Sequence, residues 1–336
     1  MVVENQTSHQ TKKDILAPIR PDMARLNDVV RTTLHSEVPL VNQVAEYLIN
    51  AGGKRLRPAI HLLLTRALQK TCPDTAYTLA AVVEFIHTST LLHDDVVDES
   101  DLRRGRQTAN ALFGNAASVL VGDFLYSRSF QMMVSVQNMR VMEILADATN
   151  VIAEGEVLQL LNVHDPDVTE ARYMQVIHYK TARLFEASAQ LSAVMSACTP
   201  EQENACAAYG RHLGAAFQLA DDILDYAGDT AVLGKNVGDD LREGKPTLPL
   251  IYVLEHGSDS EKAMVRAAIE NGGIDHTHPD FNTILTAITS GGALEYTRQL
   301  AQREVAAAKS ALAFLPESEY KQVLLGLADY ALAREV

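Results

Sequence analysis

Apolar residues recur at helical spacing along most of the chain, which predicts helices almost everywhere after a polar start. Residues 1–15 are polar and are expected to form a flexible N-terminal tail, which leaves residues 16–336 as a single domain. Two proline-free intervals favour long helices, which we predict over about 75–100 and about 200–226. The alanine-rich stretch that begins near residue 294 is also predicted to be helical.

Glycines and polar stretches mark the expected breaks between these helices. Gly105, Gly114 and Gly122 are expected to divide the chain after the first long helix into shorter pieces. Residues 228–244 and 275–282 are polar and predict loops. No run alternates between apolar and polar positions in the manner of a β-strand. The pattern therefore predicts an all-α, single-domain bundle of long helices.

Composition narrows the class of protein. The chain has 336 residues, of which 47% are hydrophobic, and a formal net charge of −14. So acidic a surface argues against non-specific nucleic-acid binding, which needs positive charge. Three scattered cysteines indicate neither a disulfide framework nor a zinc site. The N-terminus lacks the apolar core of a signal peptide and no apolar run is long enough to span a bilayer, so we expect a cytoplasmic protein.

Two Asp-Asp-x-x-Asp motifs carry the strongest chemical signal. They comprise Asp94, Asp95 and Asp98 in the first motif and Asp221, Asp222 and Asp225 in the second. On a helix, the outer aspartates of each motif share a face, where like charges repel and the flanking aliphatic residues add a desolvation cost. Mg²⁺ would offset both effects because it prefers carboxylate and phosphate oxygens. A solvated acidic helix face or an N-cap cluster is the alternative, which the second copy weakens.

Basic residues near both motifs are candidates for binding a diphosphate, because arginine gives bidentate contacts to phosphate and lysine acts as a point charge. They are Lys54, Arg55 and Arg57 after a Gly-Gly turn, Arg103 and Arg104 after the first motif, Lys180, and Lys235 and Lys245 in a glycine-rich loop. Taken singly, the cations after the Gly-Gly turn and after the first motif are better explained as solvated surface cations, and Lys180 is as well explained by an exposed helix face. His87 lies two helical turns before Asp94 and is either a donor to a diphosphate or a hydrogen-bonded core histidine.

Six segments together resemble the trans-type polyprenyl diphosphate synthases, and most closely the bacterial octaprenyl members that make quinone side chains. The segments occur in the order GGKRLRP, HTSTLLHDDVVDES, DLRRG, YKTARLF, FQLADDILDY and GKNVGDDLREGKPTLP. The resemblance extends from about residue 15 to the end. The resemblance implies an isoprenoid synthase-like fold, with helices around a deep central cavity, and a homodimer. It also implies successive head-to-tail trans condensation of isopentenyl diphosphate onto an allylic diphosphate, with farnesyl diphosphate as the expected starter.

The resemblance also implies roles for individual side chains. The six aspartates would hold up to about three Mg²⁺ ions per active site on the allylic diphosphate and, with Lys180, would be catalytic. The implied contacts of the allylic substrate are Arg103, Lys180, Thr181, Gln218 and Lys235. The implied contacts of isopentenyl diphosphate are Lys54, Arg57, His87 and Arg104. No side-chain base is apparent, so the released diphosphate is expected to take the proton.

Product length is expected to depend on residues one or two turns before the first motif, namely Ile86, Ser89 and Thr90. Family members that make short chains resemble this sequence but carry bulky aromatic residues there. The small Ser89 and Thr90 would leave a tunnel open, which implies a long product such as octaprenyl diphosphate. Ordinary helix packing explains the same two residues equally well.

Two other functions compete with chain elongation. A terpene cyclase uses a similar first acidic motif, but the second motif and the basic GGKRLRP segment favour elongation. A non-catalytic partner subunit of the same fold is the other alternative, and the complete acidic and basic motifs argue against it. The product would be very apolar, so weak peripheral membrane contact during its release is also expected.

Overall fold

The structure, a computed structural model, describes residues 15–50, 53–103, 105–227 and 237–333. The described residues are almost entirely helical, which confirms the all-α class predicted from the sequence. Contacts group them into two compact units, which are treated separately below, and the single domain stays a prediction. The first unit contains the described parts of Met1–Asp147, Ala187–Ala207 and Leu312–Leu327, and the second those of Ala148–Glu186, Ala208–Ala311 and Ala328–Val336.

The first half of the chain alternates long helices with short turns. After a 3₁₀ turn at Ala17–Ile19 come α1 (Arg20–Leu34), α2 (Pro39–Asn50), α3 (Leu56–Gln69), α4 (Asp74–Val97), β1 (Leu102–Arg103), β2 (Arg106–Gln107), α5 (Ala109–Phe113), α6 (Asn115–Ser135) and α7 (Met139–Asn162). Helix α4 packs along α6, where the Ser118 hydroxyl donates to the Leu92 carbonyl at 2.9 Å. This packing holds the helix that carries the first acidic motif.

The second half contains the helix that carries the second acidic motif. Its elements are α8 (Glu170–Val176), a π-helical turn (Ile177–Ala182), α9 (Arg183–Met195), α10 (Pro200–Ala227), α11 (Asp239–Arg242), α12 (Leu248–His256), α13 (Asp259–Glu270), α14 (Phe281–Ser290), α15 (Ala293–Ala311) and α16 (Glu319–Ala333). The core of the second unit includes Tyr226 at the end of α10 and Leu241 in α11. The packing of these two residues fixes the chain that follows the second motif.

The two long helices expected from the proline-free intervals are confirmed as α4 and α10. Helix α4 begins after Pro73, which cannot continue a helix in the N-terminal direction, and ends before Glu99, whose φ of 50° is left-handed. The chain also turns at Gly114, where φ is 86° and α5 gives way to α6. In these places local backbone chemistry alone determines the boundary.

Gly122 does not end a helix, so that expectation is wrong. It lies in the middle of α6, where a Cβ atom would collide with the ring of His93 on α4. The glycine is there because the two helices approach closely, which is a tertiary requirement with no local signature. By contrast, Gly105 does interrupt the helices: with φ of 72° it lies in the turn of the small β1–β2 hairpin, which pairs Arg103 with Arg106.

The loop expected at 275–282 is confirmed up to Asp280, after which α14 begins. Of the loop expected at 228–244, residues 228–236 lie outside the described residues, and the remainder includes the short helix α11. None of the helices in the described part of the chain is both long enough and apolar enough to cross a membrane.

Candidate active site

The first acidic motif lies at the C-terminal end of α4. Asp94 and Asp98 are half-buried, whereas Asp95 is only 4% exposed. Asp98 follows the last helical residue, and its backbone N–H still donates to the Asp94 carbonyl at 2.8 Å. The outer aspartates therefore remain one turn apart on the same side of the helix, as the spacing predicted.

Asp95 is held by an arginine of its own unit. The Nε and Nη2 atoms of Arg103 donate to Asp95 Oδ1 at 2.8 and 2.7 Å. The β1–β2 hairpin presents Arg103 to the end of α4, and the Asn110 side chain donates to the Asp95 carbonyl at 3.2 Å. An arginine so placed offsets the cost of burying the carboxylate.

Two of the four residues expected to bind isopentenyl diphosphate lie together in the first unit. Arg57 Nη1 lies 3.1 Å from His87 Nε2, and since arginine is only a donor, that nitrogen accepts. Ser188 donates to the Arg57 carbonyl at 2.6 Å and fixes the start of α3. Lys54 is exposed just before α3, and Arg104 lies outside the described residues.

The three residues expected to control product length differ in their surroundings. Ile86 and Ser89 are buried, and the Ser89 hydroxyl donates to the Gly122 carbonyl of α6 at 2.8 Å. Thr90 is half-buried and donates to the His87 carbonyl at 2.9 Å. Ser89 therefore takes part in the packing of α4 on α6, and a larger side chain there would press on the α6 backbone.

The second acidic motif lies inside the last two turns of α10. Asp221 is exposed, Asp225 is half-buried, and Asp222 is only 3% exposed. The Tyr173 hydroxyl donates to Asp222 Oδ2, and the Gln218 amide donates to Oδ1 at 2.8 Å. Burial, with the Asp240 carboxylate nearby, raises the pKa of Asp222 well above its usual range. Burial and the Asp222 carboxylate also raise the pKa of Tyr173.

Asp225 contacts the backbone that follows the motif. Its Oδ1 accepts from the Asp239 N–H at 3.2 Å and its Oδ2 from the Asp240 N–H at 3.1 Å. Its carbonyl accepts from the Gly238 N–H at 2.9 Å. Lys235, which was expected to contact the allylic substrate, lies outside the described residues.

Lys180 and Thr181 lie in the π-helical turn between α8 and α9. Lys180 Nζ pairs with Glu156 Oε2 at 2.5 Å, and Thr181 donates to Gln218 Oε1 at 3.1 Å. The turn packs on Gly155, where a Cβ atom would lie 2.7 Å from the Lys180 nitrogen. A π-turn is uncommon and often marks a functional site, because it changes the direction of the side chains within it. A continuous set of hydrogen bonds thus links Thr181 through Gln218 to Asp222.

Sequence reasoning missed two functional candidates in this region, Tyr173 and Glu156. Each is recognisable only by its contact, with Asp222 and Lys180 respectively. No sequence signal separates Glu156 from the other acidic residues of α7. Tyr173 precedes Lys180 by about two turns, which placed it near the site without indicating a role.

The acidic side chains suit a hard divalent ion that is shared with a substrate. Among residues 15–50, 53–103, 105–227 and 237–333, no group of three or more His, Cys, Asp or Glu side chains is already arranged to hold a metal ion. Half-buried Asp94 and Asp98 and exposed Asp221 offer only oxygen donors. Mg²⁺ commonly takes one or two protein carboxylates and completes its shell with water and substrate phosphate oxygens, so the donors fit such an ion.

Comparisons with known proteins agree with this chemistry. Residues 38–281 match the family model of the polyprenyl synthetases. The chain is 54% identical over 314 residues to octaprenyl diphosphate synthase of Escherichia coli (strain K12), which covers 94% of this chain and 96% of that relative. It is 45% identical over 323 residues to the geranyl-diphosphate-specific all-trans-nonaprenyl-diphosphate synthase of Rhodobacter capsulatus, which covers 96% of this chain and 98% of that relative.

A solved structure is also similar to this chain over nearly its whole length. The polyprenyl synthase of Caulobacter crescentus CB15, crystallised with calcium and isoprenyl diphosphate, matches with a TM-score of 0.91 and 44% identity over 97% of this chain and 98% of that one. The resemblance of the six sequence segments is thereby confirmed over nearly the whole length. This chain belongs to the polyprenyl synthetase family, whose members catalyse trans prenyl chain elongation.

Proposed function

We propose that this protein extends farnesyl diphosphate with successive isopentenyl diphosphate units and makes octaprenyl diphosphate for quinone side chains. One observation carries the proposal: both acidic motifs are built with protein partners that fix their middle aspartates, Arg103 for Asp95 and Tyr173 with Gln218 for Asp222. Partners of this kind orient the other carboxylates for a ligand. The identity of 54% to an octaprenyl diphosphate synthase supports the product.

The aspartates are proposed to hold Mg²⁺ on the allylic diphosphate. Half-buried Asp94 and Asp98 and exposed Asp221 are the best candidates for direct ligands, because their side chains reach the surface of their own unit. Asp95 and Asp222, whose oxygens accept from protein donors, act mainly by orienting the motif. Divalent ions bound there supply positive charge to the leaving diphosphate.

The basic and polar candidates are proposed to bind and stabilise the organic substrates. Lys180 and Arg103 add positive charge for the allylic diphosphate, as Lys235 does in the proposal. The oxygens of Thr181 and Gln218 stabilise the allylic cation that remains when diphosphate departs. Isopentenyl diphosphate binds to the cations Lys54, Arg57 and Arg104 and to His87. The alkene then attacks the cation, and the departed diphosphate accepts the proton.

The decisive experiment incubates the purified chain with farnesyl diphosphate, labelled isopentenyl diphosphate and Mg²⁺, and separates the products by chromatography. The proposal expects labelled products that accumulate at octaprenyl diphosphate, and no turnover once a chelator removes the metal. Cyclised farnesyl product without label would indicate a terpene cyclase instead. If the chain is inactive alone but active with a second protein, it is a partner subunit, and the proposal fails.

A homodimer in the cytoplasm is also part of the proposal. Within the first unit, α6 leaves Leu120 and Val134 66% and 63% exposed, and exposed large aliphatic side chains favour association. Sedimentation should therefore give twice the chain mass, and Leu120→Glu should shift the protein towards the monomer. Weak contact with lipid during release of the apolar product is tested by vesicle flotation after turnover.

A further inference from the structure

We propose that Asp225, the last aspartate of the second motif, is a positioning residue that holds the segment 237–245 rather than a ligand of a metal ion. The inference rests on the proposed function, because it assigns a different role to one of six aspartates expected to bind metal. Its physical basis lies wholly within the second unit and requires no bound ligand.

Asp225 accepts hydrogen bonds from three consecutive backbone amides. Its carbonyl receives the Gly238 N–H at 2.9 Å, and its carboxylate oxygens receive the N–H groups of Asp239 and Asp240 at 3.2 and 3.1 Å. Both carboxylate oxygens are thus directed at the backbone of α11. Hydrogen bonds from backbone N–H groups to an ionised carboxylate are stronger than those between neutral groups.

The other aspartates of the motif have different surroundings. Asp221 is exposed, and both oxygens of Asp222 accept from side chains, namely Tyr173 and Gln218. The Asp225 carboxylate, in contrast, accepts hydrogen bonds from the main chain of a later segment. In the second motif, Asp221 is therefore exposed to ligands from solvent, buried Asp222 orients the motif, and Asp225 fixes the backbone that follows.

The segment that Asp225 holds is fixed at further points. The Lys245 N–H donates to the Asp240 carbonyl at 2.9 Å, and the Ile274 N–H donates to the Leu241 carbonyl at 3.2 Å. Leu241 is fully buried in the core of the second unit. The Gly244 carbonyl accepts from the His164 N–H at 2.9 Å. These contacts fix the end of the segment, so Asp225 is needed mainly at its beginning, near Gly238.

The consequence for the site is a change of position. The Asp240 backbone is among the groups that Asp225 holds, and Asp240 lies in the short helix that follows the second motif. Loss of the Asp225 carboxylate would release the beginning of the segment and move Asp240 relative to the motif. Turnover would fall for this reason, without any loss of a metal ligand.

The test compares Asp225→Ala and Asp225→Asn with Asp221→Ala in the full chain. Hydrogen exchange of amides 238–240 is measured without substrate or metal, and the half-saturating Mg²⁺ concentration is measured from turnover. The proposal expects Asp225→Ala to speed exchange by about tenfold while half-saturating Mg²⁺ changes by less than about twofold. Asp225→Asn, whose amide oxygen still accepts one N–H, should give intermediate exchange and recover part of kcat.

Asp280→Asn is the matched control, because Asp280 precedes α14 and makes no capping hydrogen bond with its side chain. Its exchange at 238–240 should equal that of the unmodified chain. Unchanged exchange in Asp225→Ala overturns the proposal, and so does a rise of about tenfold in half-saturating Mg²⁺ for Asp225→Asn. Because exchange is read without turnover, a failure of the proposed function leaves this part of the result intact.

Discussion

The two acidic motifs have the same letters, yet the two units stabilise the middle aspartate in different ways. In the first unit Asp95 accepts from the guanidinium of Arg103, so a buried carboxylate faces a full positive charge. In the second unit Asp222 accepts from the neutral donors Tyr173 and Gln218, and burial raises its pKa. The comparison shows that the surroundings of each aspartate, which the motif does not encode, determine its electrostatics.

The position of each motif in its helix explains the difference. Helix α4 ends at Val97, so the hairpin that follows can bring Arg103 back to Asp95. Helix α10 continues to Ala227, past the motif, and the partners of Asp222 come from α8 and from the preceding turn of α10 itself. At the end of a helix, a nearby loop can supply a cation to an aspartate. Inside a helix, the hydrogen-bond partners of an aspartate come from the same helix and from the helices packed on it.

The largest expected effect concerns the first aspartate of each motif. Asp94→Ala and Asp221→Ala should each lower kcat by about a thousandfold, because each removes a carboxylate proposed to hold Mg²⁺ on the leaving group. Steady-state assays across a Mg²⁺ titration measure the loss, and circular dichroism checks that helicity is kept. Retained turnover at saturating Mg²⁺ in either variant would show that its motif is not a metal site.

A second prediction concerns His61, a buried titratable group of the first unit. His61 is fully buried, with Nδ1 near the Ser192 hydroxyl at 2.9 Å and the Ser188 carbonyl at 3.2 Å. Burial lowers the pKa of His61 to about 4. Because the unfolded chain then binds the proton more readily, stability present above about pH 6.5 should be lost as pH falls towards 4, by about 3 kcal/mol.

Denaturant unfolding between pH 7 and pH 4 measures this loss. His61→Asn, which keeps a polar atom near the position of Nδ1, should flatten the pH dependence, whereas His276→Asn at an exposed position should leave it as it was. If His61→Asn retains the full slope between these pH values, other groups cause the acid sensitivity.

The third prediction separates the two kinds of partner directly. Arg103→Ala should reduce the free energy of unfolding by about 2 kcal/mol, a value discounted because the arginine side chain is 38% exposed. Tyr173→Phe should reduce it by about 1 kcal/mol, because it removes one donor from a buried carboxyl. Repeating both measurements at high salt should shrink only the Arg103 effect. Equal salt dependence would contradict the contrast between a charged and a neutral partner.

The last prediction concerns Ser89 and Thr90 and is measured mainly in the length of the product. Ser89→Tyr should shorten the prenyl product, and it should also destabilise the fold by about 1–3 kcal/mol because Ser89 packs on the α6 backbone. Thr90→Phe, at a half-buried position, should shorten the product at a smaller cost. Product chromatography and thermal unfolding of both variants measure these effects. An unchanged product from both would remove these residues from control of length.

The features that the sequence predicted correctly are those that depend on local chemistry. The bounds of α4 and α10 follow from proline and helical periodicity, and the shared face of Asp94 and Asp98 follows from helix geometry. Gly122 was interpreted wrongly because its role is to admit the ring of His93 from another helix. The pairing of Glu156 with Lys180 was invisible for the same reason, since it joins positions on different helices.

The π-helical turn at Ile177–Ala182 has one more consequence, for the tolerance of the chain to changes in length. A turn of this kind holds about one residue more than an α-helical turn, so deleting a residue would restore regular α-helical geometry and change the directions of the side chains within the turn. Lys180 would then point away from Glu156, although every residue needed for the pair would still be present. A homologue with a one-residue deletion here would keep the amino acids of the site but lose its ion pair.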